Sequence, residues 1–317
     1  MRKHLFAFLK IFVSVGLILV LLYLMRDKYA QVGQVLKGTN IPAFGLALVI
    51  YLFAIALASL RFKIIAKAQD IDTTFAEAFS LNFIGYFFNN FLPSAIGGDV
   101  VKAFYLSKKS SGKVEAYAST FLDRAVGLIT MIFMAFFAIF FVGSSVIDRN
   151  IKHLIYGISL AAFAALFFMM NKAFARKFQG ALRLVKPIRE PLQKAYNILN
   201  RYTSHKSLVV QSLVISVASQ SMFFLSLGML AVSAGFTIPL IQIFLRMPII
   251  GTISLLPSIN GLGVRESATV VFFGPIIGDA NAFAVSVLWL LMLMITSVLG
   301  GMIYAASPQF KVKIKEA

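Results

Sequence analysis

The chain of 317 residues contains no cysteine, and charged residues make up only 13% of it. Without cysteine there is no disulfide, no thiolate metal site and no cysteine nucleophile. Soluble globular proteins have about 25% charged residues, so the low charge excludes an ordinary soluble enzyme and a disordered chain. Acidic residues are scarcest, with 12 Asp and Glu against 30 Lys and Arg. Apolar residues make up 59% of the sequence, which is typical of a polytopic membrane protein.

Histidine is scarce as well, and the three histidines lie far apart at His4, His153 and His205. No Walker A run is present, and Gly261 and Gly263 do not lie in the strand and helix context of a dinucleotide site. We therefore expect no metal, no cofactor and no enzymatic activity. An intramembrane transferase with a carboxylate base stays open as a disfavoured reading. The 32 Phe residues argue against a basic soluble protein that binds nucleic acid.

Apolar runs long enough to cross a membrane follow one another along the sequence. A transmembrane helix needs about 20 mostly apolar residues. Asn40 is a candidate N-cap for the second of these runs, and Arg61 is placed beyond its end together with Lys63 and Lys67. We predict about six full spans, at 5–25, 42–60, 114–142, 154–170, 207–234 and 281–306.

Two further apolar segments, 75–106 and 238–277, are broken at their centres by proline, glycine and asparagine. Proline removes a helix donor and glycine loosens the helical turn. Broken backbone at membrane depth is tolerated only inside protein or beside a wet cavity. Each segment is therefore predicted to form two helical arms that enter and leave on one side, a re-entrant pair. The turn residues are Asn90, Pro93, Gly97, Gly98, Pro257, Asn260, Gly261 and Gly263.

The two breaks resemble each other, which predicts an internal repeat. The run 92–97 reads LPSAIG and the run 256–261 reads LPSING, about half a chain later. On the predicted topology the two pairs enter from opposite sides, so the half-repeats of about 1–142 and 143–317 are inverted. Paired broken helices in opposite halves indicate a transporter site near the membrane midplane. Chance similarity of two breaks is the alternative.

Most of the 30 Lys and Arg residues lie on one predicted side of the membrane. Because cytoplasmic loops collect these residues, we predict that both termini are cytoplasmic. The long basic segment 171–206 lies on the same side, and apolar residues at helical spacing predict that part of it rests on the membrane surface.

Several charged residues lie at depth, close to the two breaks, where an unpaired charge is costly. One interpretation is that they only pair with one another. The other is that cations bind the phosphate of a lipid headgroup, helped by free N–H groups at the helix starts after the breaks. For that role we predict headgroup binding by Lys102, Arg124 and Arg265, and charge ordering or proton coupling by Asp99, Asp123 and Glu266.

Three motifs, the run 90–102, Asp123-Arg124 followed by Gly127, and the run 256–266, together resemble the lysylphosphatidylglycerol synthase transmembrane family of flippase-like domains. The resemblance covers nearly the whole chain and implies an integral protein of the inner (plasma) membrane that moves a lipid or lipid-linked glycan between leaflets. The soluble aminoacyl-transferase domain of bifunctional relatives is not in this sequence, so we expect no synthesis of lysylphosphatidylglycerol. Lys102 stands where the family more often has Arg, which argues against bidentate phosphate binding at that position.

The deep charges and the family resemblance together leave two possible functions from different classes. The first is a translocase for an anionic or amphiphilic lipid, with anionic phospholipids or polyprenyl-linked lipids as partners. The alternative is an accessory membrane subunit that does not transport, and that docks a lipid-modifying enzyme or a glycosyltransferase through the segment 171–206. Simple membrane topology also explains that basic segment.

Overall fold

The computed structural model describes residues 16, 19–91, 97–110, 112–140, 149–170, 200–254, 258 and 260–307. All regular elements of these residues are helical, and a short 3-10 turn at Arg26–Lys28 directly precedes the helix Tyr29–Lys37. The helices are α1 Tyr29–Lys37, α2 Ile41–Lys67, α3 Phe75–Phe91, α4 Gly97–Leu106, α5 Lys113–Phe140, α6 Arg149–Met170, α7 Lys206–Ser233, α8 Leu240–Ile253, α9 Val264–Ile277 and α10 Asp279–Ala306.

The all-α polytopic bundle predicted from the sequence is confirmed. Among the described residues, four helices are long and apolar enough to cross a membrane, namely α2, α5, α7 and α10. They cover the predicted spans 42–60, 114–142, 207–234 and 281–306 within a few residues, apart from a longer end on α2. The helix α6 covers the span predicted at 154–170. Of the first predicted span, residues 16 and 19–25 are described, and they are helical.

The helix α2 begins where the sequence predicts and ends later. The Asn40 side chain accepts a hydrogen bond from the Ala43 N–H at 3.0 Å, which confirms the predicted cap. The predicted end at residue 60 is wrong, because α2 continues to Lys67. Phe62 and Ile65 are fully buried, so apolar packing carries the helix past the first basic residue. Arg61 consequently lies inside the bundle.

Both predicted breaks are present, each flanked by two helical arms. The first lies between α3 and α4, and the second lies between α8 and α9. The two arms of the first pair touch through glycine, because a Cβ at Gly98 would collide with the carbonyl oxygen of Gly85. Pro93 and Pro257 fall outside the described residues. The side of entry, the inverted relation and the half-repeats 1–142 and 143–317 stay predictions.

The helices on either side of the first break pack against several others. The helix α2 runs along α7, α4 lies between α3 and α5, and α10 packs against both α3 and α9. The backbones of α10 and α3 approach so closely that a Cβ at Gly300 would collide with the Phe83 carbonyl. Polar side chains on α4 therefore face protein from several sides.

Only the end of the predicted basic segment 171–206 is described. Residues 200–204 form a helical turn before α7. Tyr202 is buried there and packs with Ile65 near the end of α2 and with Leu122 in the first half of α5. Residues 171–199, on which the prediction of a surface-lying segment chiefly depends, fall outside the described residues.

Candidate functional site

Five charged side chains from three helices meet beside the first break, and we call them the Lys102 cluster. Arg61 comes from α2, Asp99 and Lys102 come from the first turns of α4, and Asp123 and Arg124 come from α5. The five residues come from three separate stretches of sequence, since α2, α4 and α5 follow one another along the chain. Helix packing around α4 brings them together.

Lys102 is at the centre of this cluster. Its Nζ lies 3.8 Å from Asp123 Oδ2 and 4.0 Å from Asp99 Oδ1. Each of these two carboxylates also pairs with an arginine. Arg61 Nε donates to Asp123 Oδ1 at 2.7 Å, and Arg124 Nη1 donates to Asp99. The ammonium of Lys102 is therefore shared between two carboxylates that are each already paired with an arginine.

The cluster contains three cations and two carboxylates, so it carries one positive charge in excess when all five are ionised. The side chains of Arg61, Lys102 and Asp123 are under 10% exposed, whereas those of Asp99 and Arg124 are 23% and 28% exposed. One edge of the cluster is thus open and the other is sealed. An excess cation in a partly closed site attracts an anion more strongly than the same cation in water.

Neutral groups complete the sealed edge. Arg61 Nη1 donates to Ser216 Oγ on α7 at 2.7 Å, which joins α2 to α7. The Lys102 ammonium lies 4.3 Å from the centre of the Phe62 ring. A Cβ at Gly127 would come within 3.1 Å of the Arg61 guanidinium, which explains why a glycine suits the position after Asp123-Arg124.

The second break has a smaller charged group, which we call the Arg265 pair. Arg265 Nε donates to Glu266 Oε1 at 3.1 Å, and both side chains are 6% exposed. The guanidinium carbon of Arg265 lies 5.2 Å from the centre of the Trp289 ring on α10. One cation and one carboxylate leave this pair locally neutral. The structure therefore brings Lys102 and Arg124 onto one carboxylate, whereas Arg265 pairs with its own neighbour.

We expected free backbone N–H groups at the helix starts that follow the two breaks, but two of these groups already donate hydrogen bonds within the protein. The Gly98 N–H donates to Asn89 Oδ1 at 2.7 Å, and the Gly263 N–H donates to Glu266 Oε2 at 2.6 Å. The expectation is wrong for these two groups, because side chains of the protein already occupy them. Glu266 thus caps α9 as well as balancing Arg265.

The two breaks touch each other. Asn260 Nδ2 donates to Asn90 Oδ1 at 2.6 Å across 170 residues of sequence. Asn260 and Gly261 both have positive φ, at 48° and 77°, a conformation that asparagine and glycine tolerate best. Gly97, the remaining described turn residue of the first break, is buried in the first turn of α4.

Sequence reasoning missed two residues of this region. Arg61 is assigned there to the end of a span, although the apolar residues that follow it continue the helix. Trp289 shows no sequence signal beyond being the one tryptophan in the chain. Within the described ranges, no group of three or more His, Asp or Glu side chains is placed to hold a metal ion.

Comparison with known proteins agrees with this architecture. The profile of the family described as "Lysylphosphatidylglycerol synthase TM region" matches residues 8–301. A UPF0104 membrane protein of Methanothermobacter thermautotrophicus is 26% identical over 251 residues, covering 72% of this chain and 74% of that protein. A UPF0104 membrane protein of Methanocaldococcus jannaschii is 26% identical over 274 residues, covering 80% of each chain. This chain therefore belongs to the lysylphosphatidylglycerol synthase transmembrane-region family.

Proposed function

We propose that this integral membrane protein is a translocase that moves an anionic or amphiphilic lipid between the two leaflets. The observation that carries the proposal is the excess cation of the Lys102 cluster, held at a break in the bundle with one edge open. A headgroup phosphate would replace water at that edge and share the cations with Asp99 and Asp123. The acyl or polyprenyl tails would stay in the surrounding lipid.

The residue roles follow from the contacts. Arg124 and Lys102 would bind the phosphate, since Arg124 lies at the open edge and Lys102 is only loosely held at 3.8 and 4.0 Å. Arg61 and Asp123 would keep Lys102 in place from the sealed edge. Asp99 would compete with the phosphate for both cations and so permit its release. Arg265 would act at a separate position, with Glu266 ordering it.

We also propose where the protein acts and how it is oriented in the membrane. Both termini would be cytoplasmic in the plasma membrane, with membrane lipids as the partners, and the protein would move its lipid without altering it chemically. The excess of Lys and Arg on one predicted side supports this orientation. The buried pairs of the Lys102 cluster support a binding role, because desolvation makes buried ion pairs a poor route to stability alone.

Reconstitution tests the proposal directly. Purified protein in vesicles that contain fluorescent NBD-phosphatidylglycerol should expose inner-leaflet probe to dithionite faster than empty vesicles do. NBD-phosphatidylcholine and an NBD-labelled polyprenyl phosphate in parallel vesicles separate the lipid classes. Loss of probe at the empty-vesicle rate for all three lipids would overturn the proposal.

A double variant tests the site itself. Lys102→Gln with Asp99→Asn removes one charge of each sign, so the cluster keeps its net charge and its shape. We expect at least a tenfold slower transport, since about 1.4 kcal/mol of headgroup binding corresponds to tenfold. The matched control is Lys109→Gln, which changes a half-exposed lysine paired with Glu77 and should transport at the normal rate.

A further inference from the structure

The open edge of the Lys102 cluster lies among exposed apolar side chains of α4 and α5. Asp99 on α4 meets Arg124 on α5 there, and the two side chains are 23% and 28% exposed. Val100, the neighbour of Asp99, is 48% exposed, and Phe121, one turn before Arg124, is 70% exposed. The charged contact is therefore reached from the surface of the bundle, between apolar groups.

One face of α5 leads from the charged end of the helix to Arg124. Lys113, Tyr117, Phe121 and Arg124 follow one another at spacings of four, four and three residues, which places them on the same side of a helix. Lys113 and Tyr117 are exposed. At 1.5 Å per residue, Lys113 and Arg124 are about 16 Å apart along the axis. That is about half of the ~30 Å hydrocarbon thickness of a bilayer.

The helix α4 continues this face on the other side of the open edge. Phe104 lies one turn after Val100 and is 42% exposed. Lys108, just after the end of α4, places its ammonium 5.2 Å from the centre of the Phe104 ring. A short connection joins the end of α4 to the start of α5, so both helices reach the same charged end. We call the exposed apolar residues of the two helices the α4–α5 face: Val100, Phe104, Tyr117 and Phe121.

The outward faces of two other spans have a different composition. The helix α2 exposes Val49 and Phe53, and α7 exposes Val210 and Val214. The runs 41–60 and 207–233 contain no charged residue, so these faces match lipid chains alone. The α4–α5 face has lysines at one end and Arg124 at the other. It therefore matches an amphiphile with an anionic headgroup.

The helices that follow the second break are covered at the comparable place. The helices α9 and α10 follow that break as α4 and α5 follow the first. Val270 on α9 and Phe283 on α10 are only 9% and 8% exposed. They belong to one apolar cluster with Leu21, Met25 and Val32 from the N-terminal part of the chain. This part of the α9–α10 surface is thus closed by protein, whereas the α4–α5 face is open.

We propose that the α4–α5 face is the lateral entrance through which an anionic lipid reaches the Lys102 cluster. The headgroup moves along α5 from Lys113 to Arg124, while the lipid chains stay outside the bundle against Phe104 and Phe121. The inference rests on the proposed function and deepens it by giving the lipid one place of entry. Because Arg124 is the most exposed cation of the cluster, it meets the headgroup first.

The first test uses the absence of cysteine from the natural chain. Phe121→Cys is labelled with bimane, and Val49→Cys and Val214→Cys are the matched controls. Each position lies eight residues after the first residue of its helix, about 12 Å along the axis, and each is more than 60% exposed. The labelled proteins are reconstituted in phosphatidylcholine vesicles that contain phosphatidylglycerol brominated in its acyl chains, which quenches bimane on contact.

We expect the brominated phosphatidylglycerol to accumulate at the α4–α5 face. Half-maximal quenching of the label at position 121 should need about tenfold less of this lipid than at positions 49 and 214, the effect of one hydrogen bond to a charged group. Adding Arg124→Gln should remove the difference. Unlabelled phosphatidylglycerol in excess should restore the emission at position 121 more than at the controls, which checks the result without a second substitution. Brominated phosphatidylcholine should quench all three positions equally.

The second test blocks the entrance. N-benzylmaleimide is attached to Phe121→Cys in detergent before reconstitution, and transport of NBD-phosphatidylglycerol is measured. We expect about a tenfold slower rate than for the unmodified variant, which corresponds to about 1.4 kcal/mol of lost lipid binding. The same modification of Val214→Cys should leave the rate unchanged, since α7 lies away from the path.

The outcomes separate the entrance from the function on which it rests. Equal quenching of the three positions by brominated phosphatidylglycerol, or normal transport by the blocked Phe121→Cys variant, overturns the entrance and leaves a translocase that is entered elsewhere. Wild-type protein that moves none of the labelled lipids overturns the proposed function, and the entrance with it. Preferential quenching at position 121 together with slow transport by the blocked variant supports both.

Discussion

The two breaks share a sequence motif, but their charges are arranged differently. At the first break, three cations and two carboxylates from three helices form a network with one open edge. At the second, Arg265 and Glu266 are adjacent residues on one helix turn, and Glu266 is also the helix cap. The first arrangement depends on how the helices pack, whereas the second is local. Similar turns thus support one charged site and one neutral site.

The largest expected effect comes from removing the carboxylate that joins two cations. Asp123→Asn leaves Arg61 and Lys102 buried without their shared charge, and breaking a buried ion pair costs about 3–5 kcal/mol. We expect the unfolding midpoint of the detergent-purified protein to fall sharply, as measured by circular dichroism during heating. Asp27→Asn is the control, because the Asp27 side chain is 86% exposed. Equal midpoints for the two variants would contradict the network.

A smaller effect is expected from the glycine contact that closes the first pair of arms. Gly98→Ala places a methyl group against the Gly85 carbonyl, and overpacking of this kind costs about 1–3 kcal/mol. Because α4 carries Lys102, we also expect transport to fall. Gly45→Ala on α2 has nothing within 4 Å of the new Cβ, so helix propensity alone should leave it as stable as the wild type or slightly more so.

The smallest effect concerns the contact between the breaks. Asn90→Ala, Asn260→Ala and the double variant form a double-mutant cycle, whose coupling energy should be about 0.5–1.5 kcal/mol for one hydrogen bond. Asn260→Gly separates the two roles of Asn260, since it loses the bond and keeps the positive φ. A coupling energy near zero in chemical unfolding would show that the two breaks are energetically independent.

The fold follows from the sequence to the extent that apolar length determines it. Uninterrupted runs of about 20 residues, and Pro and Gly in the two breaks, predict where helices exist and where they stop. The end of α2 is the exception, because a basic residue ends a span by composition although Phe62 and Ile65 continue its buried face. Because the predicted boundary came too early, Arg61 was not included among the predicted site residues.

The site itself is less predictable for a physical reason. The sequence indicates that Asp99, Lys102, Asp123 and Arg124 are costly at depth and need partners, and the structure provides those partners. It does not indicate which charge meets which, because α2 and α5 approach α4 only after packing. The local pair of Arg265 with Glu266 has no such dependence, yet the interpretation from sequence separated the two into different roles.

The arrangement of the Lys102 cluster has a consequence for how the chain is made. All five of its charges lie between residues 61 and 124, and the contact between Arg61 and Asp123 spans 62 residues. A membrane protein is inserted from its N-terminus as it is synthesised, and a charge entering lipid is costly until it is paired. The first half of this chain can therefore pair each of these charges with an opposite one before α7 leaves the ribosome. The hydrogen bond from Arg61 to Ser216 then joins the late helices to a core that is already assembled.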